Sequence, residues 1–469
     1  MRRLAALMAL SVLLAIAAGC TKSAQTQDLP KTLTVACCQN YTYDMQFRDF
    51  IEAGFPDWDV RFVPMQADND YKAYDEKTLA AFMDKEKPDL LILNVPDYSL
   101  MRKADKLQNL EEWAAQKKTK LNDAVTPGVL DFLRGEEGGP LYGIGPGFHA
   151  SAMYYNKNIF DRLGIPYPTD GMNWEQTIAL ADRVMQDKRL EKGEVGLHIP
   201  WLRGPFDLLQ RIAGNEGLTY ANAKTGAVTF DSQGWERLFK QVAAAYKRGT
   251  FVATWPEARE SDGRTYYDQA AMEAVDLFKQ GKAAITIDDD NLMTNLKSGK
   301  PKFDWGVVTA PARSSDPAFG GELQMYEVFA IPVSASHAEE AWEVLSYFMS
   351  AHVGQAKAAL GGTLGGMDLS VQADYPEWKQ DPDYKPFYAL RPTNTIDRYY
   401  YGEPQGPGSF DTSFAELVNG HIRNVVENKE TEDKAFGAIQ SGAEALMKKA
   451  LSEVQADGAD ETDKAGKSE

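Results

Sequence analysis

Three consecutive carboxylates and an amide, Asp288-Asp289-Asp290-Asn291, close the apolar run Ala283–Ile287. Calcium needs roughly six to eight oxygens in a cage, and three neighbouring aspartates cannot all point at one ion. The run therefore reads either as polar contact with a ligand, through residues such as Asp288 and Asn291, or as a solvated turn. A second polar group, Asn94, Asp97 and Tyr98, follows the wholly apolar Leu90–Leu93. It either touches a ligand or serves only to cap and turn the chain. Other chemistries lack their residues. Gly143-Ile144-Gly145-Pro146-Gly147 misses the third glycine of a dinucleotide fingerprint, and Gly361-Gly362 and Gly365-Gly366 miss the lysine of a phosphate loop. The histidines at 149, 198, 337, 352 and 421 do not have zinc spacing. No Gly-x-Ser-x-Gly elbow occurs, and no two of the many carboxylates stand out as a glycosidase pair. The expectation is a binding protein, not an enzyme, with no metal and no cofactor.

The elements that must position these groups begin as alternating strands and helices. Leu33–Cys37, Val60–Val63 and Leu90–Leu93 read as strands, the last suited to the centre of a parallel sheet. Met45, Phe47, Phe50, Ile51 and Phe55 lie near helical spacing, and Asp75–Glu86 is helical with Leu79, Phe82 and Met83 on one face. This order predicts right-handed crossovers and a ligand at the carboxyl ends of the strands, here Cys38-Gln39-Asn40-Tyr41 and Asn94–Tyr98. Further on, Asn173 with Gln176 and Ser336 with Glu339 read as capping boxes. A helix starts near Asp231-Ser232 and stops at Gly249. Ala283–Ile287 and Trp305–Val308 are strands. Two helices end the fold, and 456–469, without bulky apolar residues, reads as a loose tail.

At the amino terminus Arg2 and Arg3 precede the uncharged apolar run Leu4–Ala18. It is shorter than the roughly 17–25 residues of a spanning helix. Ala17-Ala18-Gly19-Cys20 resembles the lipobox of bacterial lipoproteins, which implies a signal over 1–20, lipid on Cys20 and a polar tether over 21–31. That places the chain on the extracytoplasmic face of a cell membrane, held by its lipid. A net charge of -18 argues against nucleic acid. Adjacent Cys37 and Cys38 cannot form a disulfide framework. They are expected as two thiols in a strand, the alternative being a strained ring between neighbours.

Several marks then occur in order: Lys87-Pro88-Asp89-Leu90, Pro140-Leu141-Tyr142-Gly143-Ile144, Tyr154-Tyr155-Asn156-Lys157, Leu163-Gly164-Ile165, Asn173-Trp174-Glu175, Thr229-Phe230-Asp231-Ser232, Phe278 to Ile285 and Ala341-Trp342-Glu343. Together the sequence resembles extracellular solute-binding proteins of family 1, the maltose-binding-protein-like carbohydrate receptors of ABC importers. The resemblance implies an α/β, two-lobed, type II periplasmic-binding-protein-like fold with a ligand cleft between lobes. Lobe one would span 32–147 and 329–375, and lobe two 151–327 and 379–455. It also implies ligand roles. Trp201 falls where the family places an aromatic platform, His149 where several receptors place a carboxylate, and Phe410 and Asp411 in a region of aromatic contacts. Tyr326 precedes the second crossing. The implied function is capture of a carbohydrate, of oligosaccharide size, by a monomer that delivers it to permease subunits. The rival readings are a ligand-sensing receptor lipoprotein coupled to a membrane sensor and a surface glycoside hydrolase.

Overall fold

The computed structural model describes residues 30–37, 39–66, 74–135, 138–222, 225–261, 264–359, 382–396 and 405–465. The lipobox with Cys20, nearly all of the tether, Cys38 and the expected third crossing near 375–379 lie outside the described residues.

The strands in chain order are β1 (Thr32–Cys37), β2 (Asp59–Pro64), β3 (Leu90–Asn94), β4 (Gly143–Ile144), β5 (His149–Asn156), β6 (Val195–Pro200), β7 (Ala221–Asn222) and β8 (Ala227–Val228). They continue with β9 (Phe251–Thr254), β10 (Arg259–Ser261), β11 (Arg264–Tyr266), β12 (Ala283–Asp289), β13 (Trp305–Thr309), β14 (Leu323–Gln324) and β15 (Glu327–Ala330). Two main sheets form, of order β2-β1-β3-β15-β4 and β13-β5-β12-β6-β9. In the first, β1 runs parallel to both β2 and β3, as the alternating pattern predicts. β15 enters from the far end of the chain and lies antiparallel to β3 and β4. It starts at Glu327, two residues before the expected boundary of lobe one.

Leu90, Leu91, Ile92 and Leu93 are fully buried, because helices cover both faces of β3. The preceding Asp89 is buried as well, and its carboxylate is fully used. It accepts from the amides of Thr34 (2.9 Å), Ser336 (3.0 Å) and His337 (2.9 Å). This corrects the expected Ser336–Glu339 capping box: the helix Ala338–Phe348 has no side-chain cap of its own, and a remote aspartate holds the amides before it. Elsewhere local caps form as read. Asp75 accepts from the Thr78 amide, Ser232 from that of Trp235, and Asn173 with Gln176 makes a reciprocal box. The last helix runs Glu432–Ala465, so the backbone stays helical past Ala456, where the loose tail was expected. Its Ala, Glu, Asp and Lys content lacks a helix-breaking proline.

Helices Trp174–Gln186, Pro205–Glu216, Gln233–Arg248 and Phe410–Val426 contribute to a core on one face of the second sheet. Gly196, the second residue of β6, passes so close to the Trp174–Gln186 helix that a Cβ there would collide with the Ala181 carbonyl oxygen. Backbone cannot yield as a flexible side chain can. Gly196→Ala is therefore expected to destabilise by about 1–3 kcal/mol, read from the midpoint of urea unfolding. An unchanged midpoint would mean that helix and sheet part freely.

Candidate functional site

A cavity of about 1270 Å³ opens where β6 and β12 end and β5 begins. Among the described residues its lining comes from lobe two and from the chain segments that cross between the sheets. Of the residues expected from sequence, His149, Trp201, Asp288, Asn291 and Tyr326 line it, and so does Asp411.

The others lie elsewhere. Asn94 caps the helix Val95–Lys103, its Oδ1 accepting the Asp97 amide at 2.8 Å. Asp97 is buried and accepts the Tyr74 amide at 3.0 Å. Burial holds its carboxyl above the usual range, partly opposed by these amide and side-chain bonds. Tyr98 is fully buried in the core of lobe one. Phe410 is equally buried, stacked near Phe414 and Tyr220. Its place on the helix turns the ring inward to the core, and it is the adjacent Asp411 that faces the cavity. The structure thus corrects two site expectations, since neither Tyr98 nor Phe410 presents a surface to a ligand.

The aspartate run is not a solvated turn. Asp288 and Asp289 end β12, and Asp289 caps the helix Asp290–Gly299 by accepting the Asn291 amide at 2.9 Å. Asp290 turns inward. Its carboxylate meets His149 Nδ1 at 3.1 Å and accepts the Ala150 amide at 3.1 Å. Burial lowers the His149 pKa, but the hydrogen bond and charge of Asp290, with Asp289 and Glu327, outweigh it and leave the value raised. The Tyr326 ring meets that of His149 edge-on, with centroids 5.4 Å apart. Asp288 faces the cavity, and burial first, then the Asp289 charge, pushes its carboxyl up to about 7.

Trp201 follows β6 directly. It is a non-glycine residue in the left-handed region, φ 66°, with 42% of its surface exposed. A bulky side chain rarely adopts that backbone.

The cavity also holds residues that sequence reading passed over. Arg211, on the helix Pro205–Glu216, pairs with Glu322 at 3.1 Å and so ties that helix to the second crossing. Gln210 and Gly214 sit one turn apart on the same helix and line the cavity beside Arg211. That polar face was a signal available in the helical periodicity. Lys279 is bound to Asp276 at 3.2 Å. Asn394 clamps β14, accepting the Leu323 amide at 2.9 Å and donating to the Leu323 carbonyl at 2.7 Å. Nothing local marks Asn394, since its partner lies 71 residues away. Planar amides and carboxylates, with one exposed indole, can hydrogen-bond hydroxyls at the edge of a ring-shaped ligand while covering its apolar face.

A raised histidine value fixes the sign of a pH dependence. The stability His149 contributes is fully present below its ordinary value of 6.5 and is lost as pH rises through the higher folded value. Asp288 also favours the acid side, but gives up its share lower, between 3.8 and about 7. Denaturant unfolding across these ranges should therefore show stability falling with pH. His149→Asn should flatten the alkaline part alone. An unaltered alkaline slope in that variant would remove His149 as its source.

The profile of the bacterial extracellular solute-binding proteins matches residues 47–386. A Brucella abortus (strain 2308) chain that carries the name of a binding protein is 24% identical over 336 residues, covering 69% of this chain and 71% of its own. Among solved structures, an extracellular solute-binding protein family 1 member from Alicyclobacillus acidocaldarius superposes with a TM-score of 0.61 at 17% identity, over 89% of this chain and 99% of that one. The sugar-binding protein MalE of Xanthomonas citri gives 0.60 at 16% identity, over 91% and 99%. An ABC substrate-binding protein of Listeria monocytogenes in complex with cycloalternan gives 0.54 at 15% identity, over 90% and 99%. The shared architecture is the two-lobed type II periplasmic-binding-protein fold. By its match over residues 47–386, this chain belongs to the bacterial extracellular solute-binding proteins.

Proposed function

We propose that this protein captures a carbohydrate, of oligosaccharide size, by closing its lobes on it, and delivers it to the permease of an ABC importer. The observation that carries this is Trp201: a left-handed backbone holds a half-exposed indole on the wall of a large cavity rich in carboxylates and amides. The left-handed region costs roughly 1–2 kcal/mol, and the indole it places there keeps 42% of its surface exposed. A pyranose has an apolar C–H face for the indole and hydroxyls for Asp288, Asn291 and Asp411. At about 1270 Å³ the cavity exceeds the roughly 300–1,000 Å³ typical of small-ligand pockets, which suits more than one sugar unit. The Listeria neighbour was solved with cycloalternan and the Xanthomonas neighbour is named for sugar binding. The cavity wall comes from lobe two and the crossing segments, so lobe one would complete the enclosure by hinge motion. The protein would work as a monomer on the extracytoplasmic face of the membrane, held there by lipid on Cys20.

Binding is tested first by thermal shift against a saccharide panel, where a ligand at 100 times its dissociation constant stabilises by roughly 2.7 kcal/mol. Trp201→Ala should then weaken the best ligand by about 5- to 150-fold, the equivalent of roughly 1–3 kcal/mol of ring contact. Trp201→Phe should recover part of the loss, and the ligand-free melting temperature should hold. Wild-type affinity in calorimetry of Trp201→Ala would overturn the platform role. For the anchor, Cys20→Ala should abolish acyl labelling of the chain in cells; a labelled, membrane-bound variant would refute it.

A further inference from the structure

Trp201 does not stand alone on the cavity wall. β6 and β9 run parallel with Pro200 beside Thr254, so the residues that follow, Trp201 and Trp255, leave the sheet side by side. Thr254 is itself pinned, its hydroxyl 2.7 Å from His198 Nε2 and donating to the Val275 carbonyl at 2.9 Å. The chain then runs out through the β10–β11 hairpin, where Arg259 pairs with Tyr266, and returns with Tyr267. Three rings meet at this point. Trp201 and Trp255 are 5.9 Å apart at 88°, Trp201 and Tyr267 6.3 Å at 79°, and Trp255 and Tyr267 6.0 Å at 85°. All three pairs are edge-to-face, the arrangement that ring quadrupoles favour.

The two supporting rings are themselves held. Trp255 Nε1 donates to the Tyr267 hydroxyl at 3.1 Å, and the Arg203 guanidinium lies 4.6 Å from the Trp255 ring centroid. Arg259 pairs with Asp268, next to Tyr267, at 2.8 Å. Trp201 is the exposed member of the trio and the one that lines the cavity; Trp255 and Tyr267 are half-buried behind it. An indole packed on one rigid ring pivots; one packed against two perpendicular rings does not. Fixing it beforehand removes an ordering cost that a ligand would otherwise bear.

We propose that Trp255 and Tyr267 are positioning residues that hold the Trp201 ring upright at the cavity wall, and thereby set a preference for saccharides long enough to reach it. The inference rests on the carbohydrate reading and adds ligand length as the selected property. Its physical content is that the supporting rings act only through Trp201. Any effect of removing them must vanish when Trp201 is already gone, and must be small for ligands that end short of it.

The test measures dissociation constants by calorimetry for α-linked and β-linked glucose oligomers, from dimer to hexamer. Trp255→Leu should weaken the longest binders by about 3- to 10-fold, the range of an aromatic pair, and leave dimers within about 2-fold. Trp255→Phe, which keeps a ring, should restore most of the loss. Tyr267→Phe, which removes only the hydroxyl that receives the indole N–H, should give a smaller loss in the same direction, and covers the case in which Trp255→Leu does not fold. In a Trp201→Ala background, Trp255→Leu should have no further effect, as coupling through one ring requires. Equal loss at every length, or a full loss in the Trp201→Ala background, overturns the positioning role while leaving the carbohydrate reading intact. A wild-type chain that binds none of these oligomers and no member of the saccharide panel overturns both.

Discussion

Among the described residues, two chain segments pass between the sheets side by side, and the joining of the two sheets depends on that pair. β4 leads to β5 on one path, and β14 leads to β15 on the other. β15 is zipped to β3 and β4 in the first sheet, and β14 to the start of β5 in the second. Between them Gly145 faces the fully buried Met325, and a Cβ at Gly145 would lie inside the Met325 side chain. The absence of a side chain lets the two segments approach. Among the described residues, hydrogen-bonded sheet lies on both sides of these few connecting residues. His149 and Tyr326 stand on this pair, one on each segment, and both line the cavity.

The three aspartates show how one short motif is divided by its geometry. The chain passes there from strand to helix, so consecutive side chains leave in different directions. Asp288 faces the cavity. Asp289 satisfies an orphan amide at the helix start. Asp290 goes inward, where an unpaired carboxylate would be costly, and meets His149 and the Ala150 amide. The pairing draws β12 and its following helix onto the first residues of β5, beside the crossing. Structural and cavity-facing roles thus fall on adjacent residues.

The site is unequal between the lobes. Lobe two supplies the indole, its supporting rings, the helix with Gln210 and Arg211, and the acidic strand end. On lobe one the strand-end residues Asn94 and Asp97 are occupied in holding their own helix and the Tyr74 amide. The cationic groups of the cavity wall are engaged internally, Arg211 with Glu322 and Lys279 with Asp276. What remains toward the cavity is a surface of carboxylates, amides and hydroxyls with one large exposed apolar face.

Much of the frame was legible because its causes are local. Four apolar residues at 90–93 make a strand buried on both faces, and Asp75, Asn173 and Ser232 cap helices through amides three residues away. Such signals need only the chain on either side. Trp201, Asp288 and Tyr326 were also legible as candidates, from strand ends and family resemblance. Tyr98 and Phe410 were misread because polar tips or aromatic rings near strand and helix starts do not reveal which way a helix turns them. The His149–Asp290 pair spans 141 residues of sequence, and the Asp89 cap of the Ser336 and His337 amides spans more than 240. Trp201 and Trp255 become neighbours only through the register that sets Pro200 beside Thr254. By itself the sequence determined strands, caps and the order of elements, because hydrophobic period and capping act over a few residues. Only the tertiary structure decided which side chains share the cavity, because strand register and helix rotation are set by packing between distant parts of the chain.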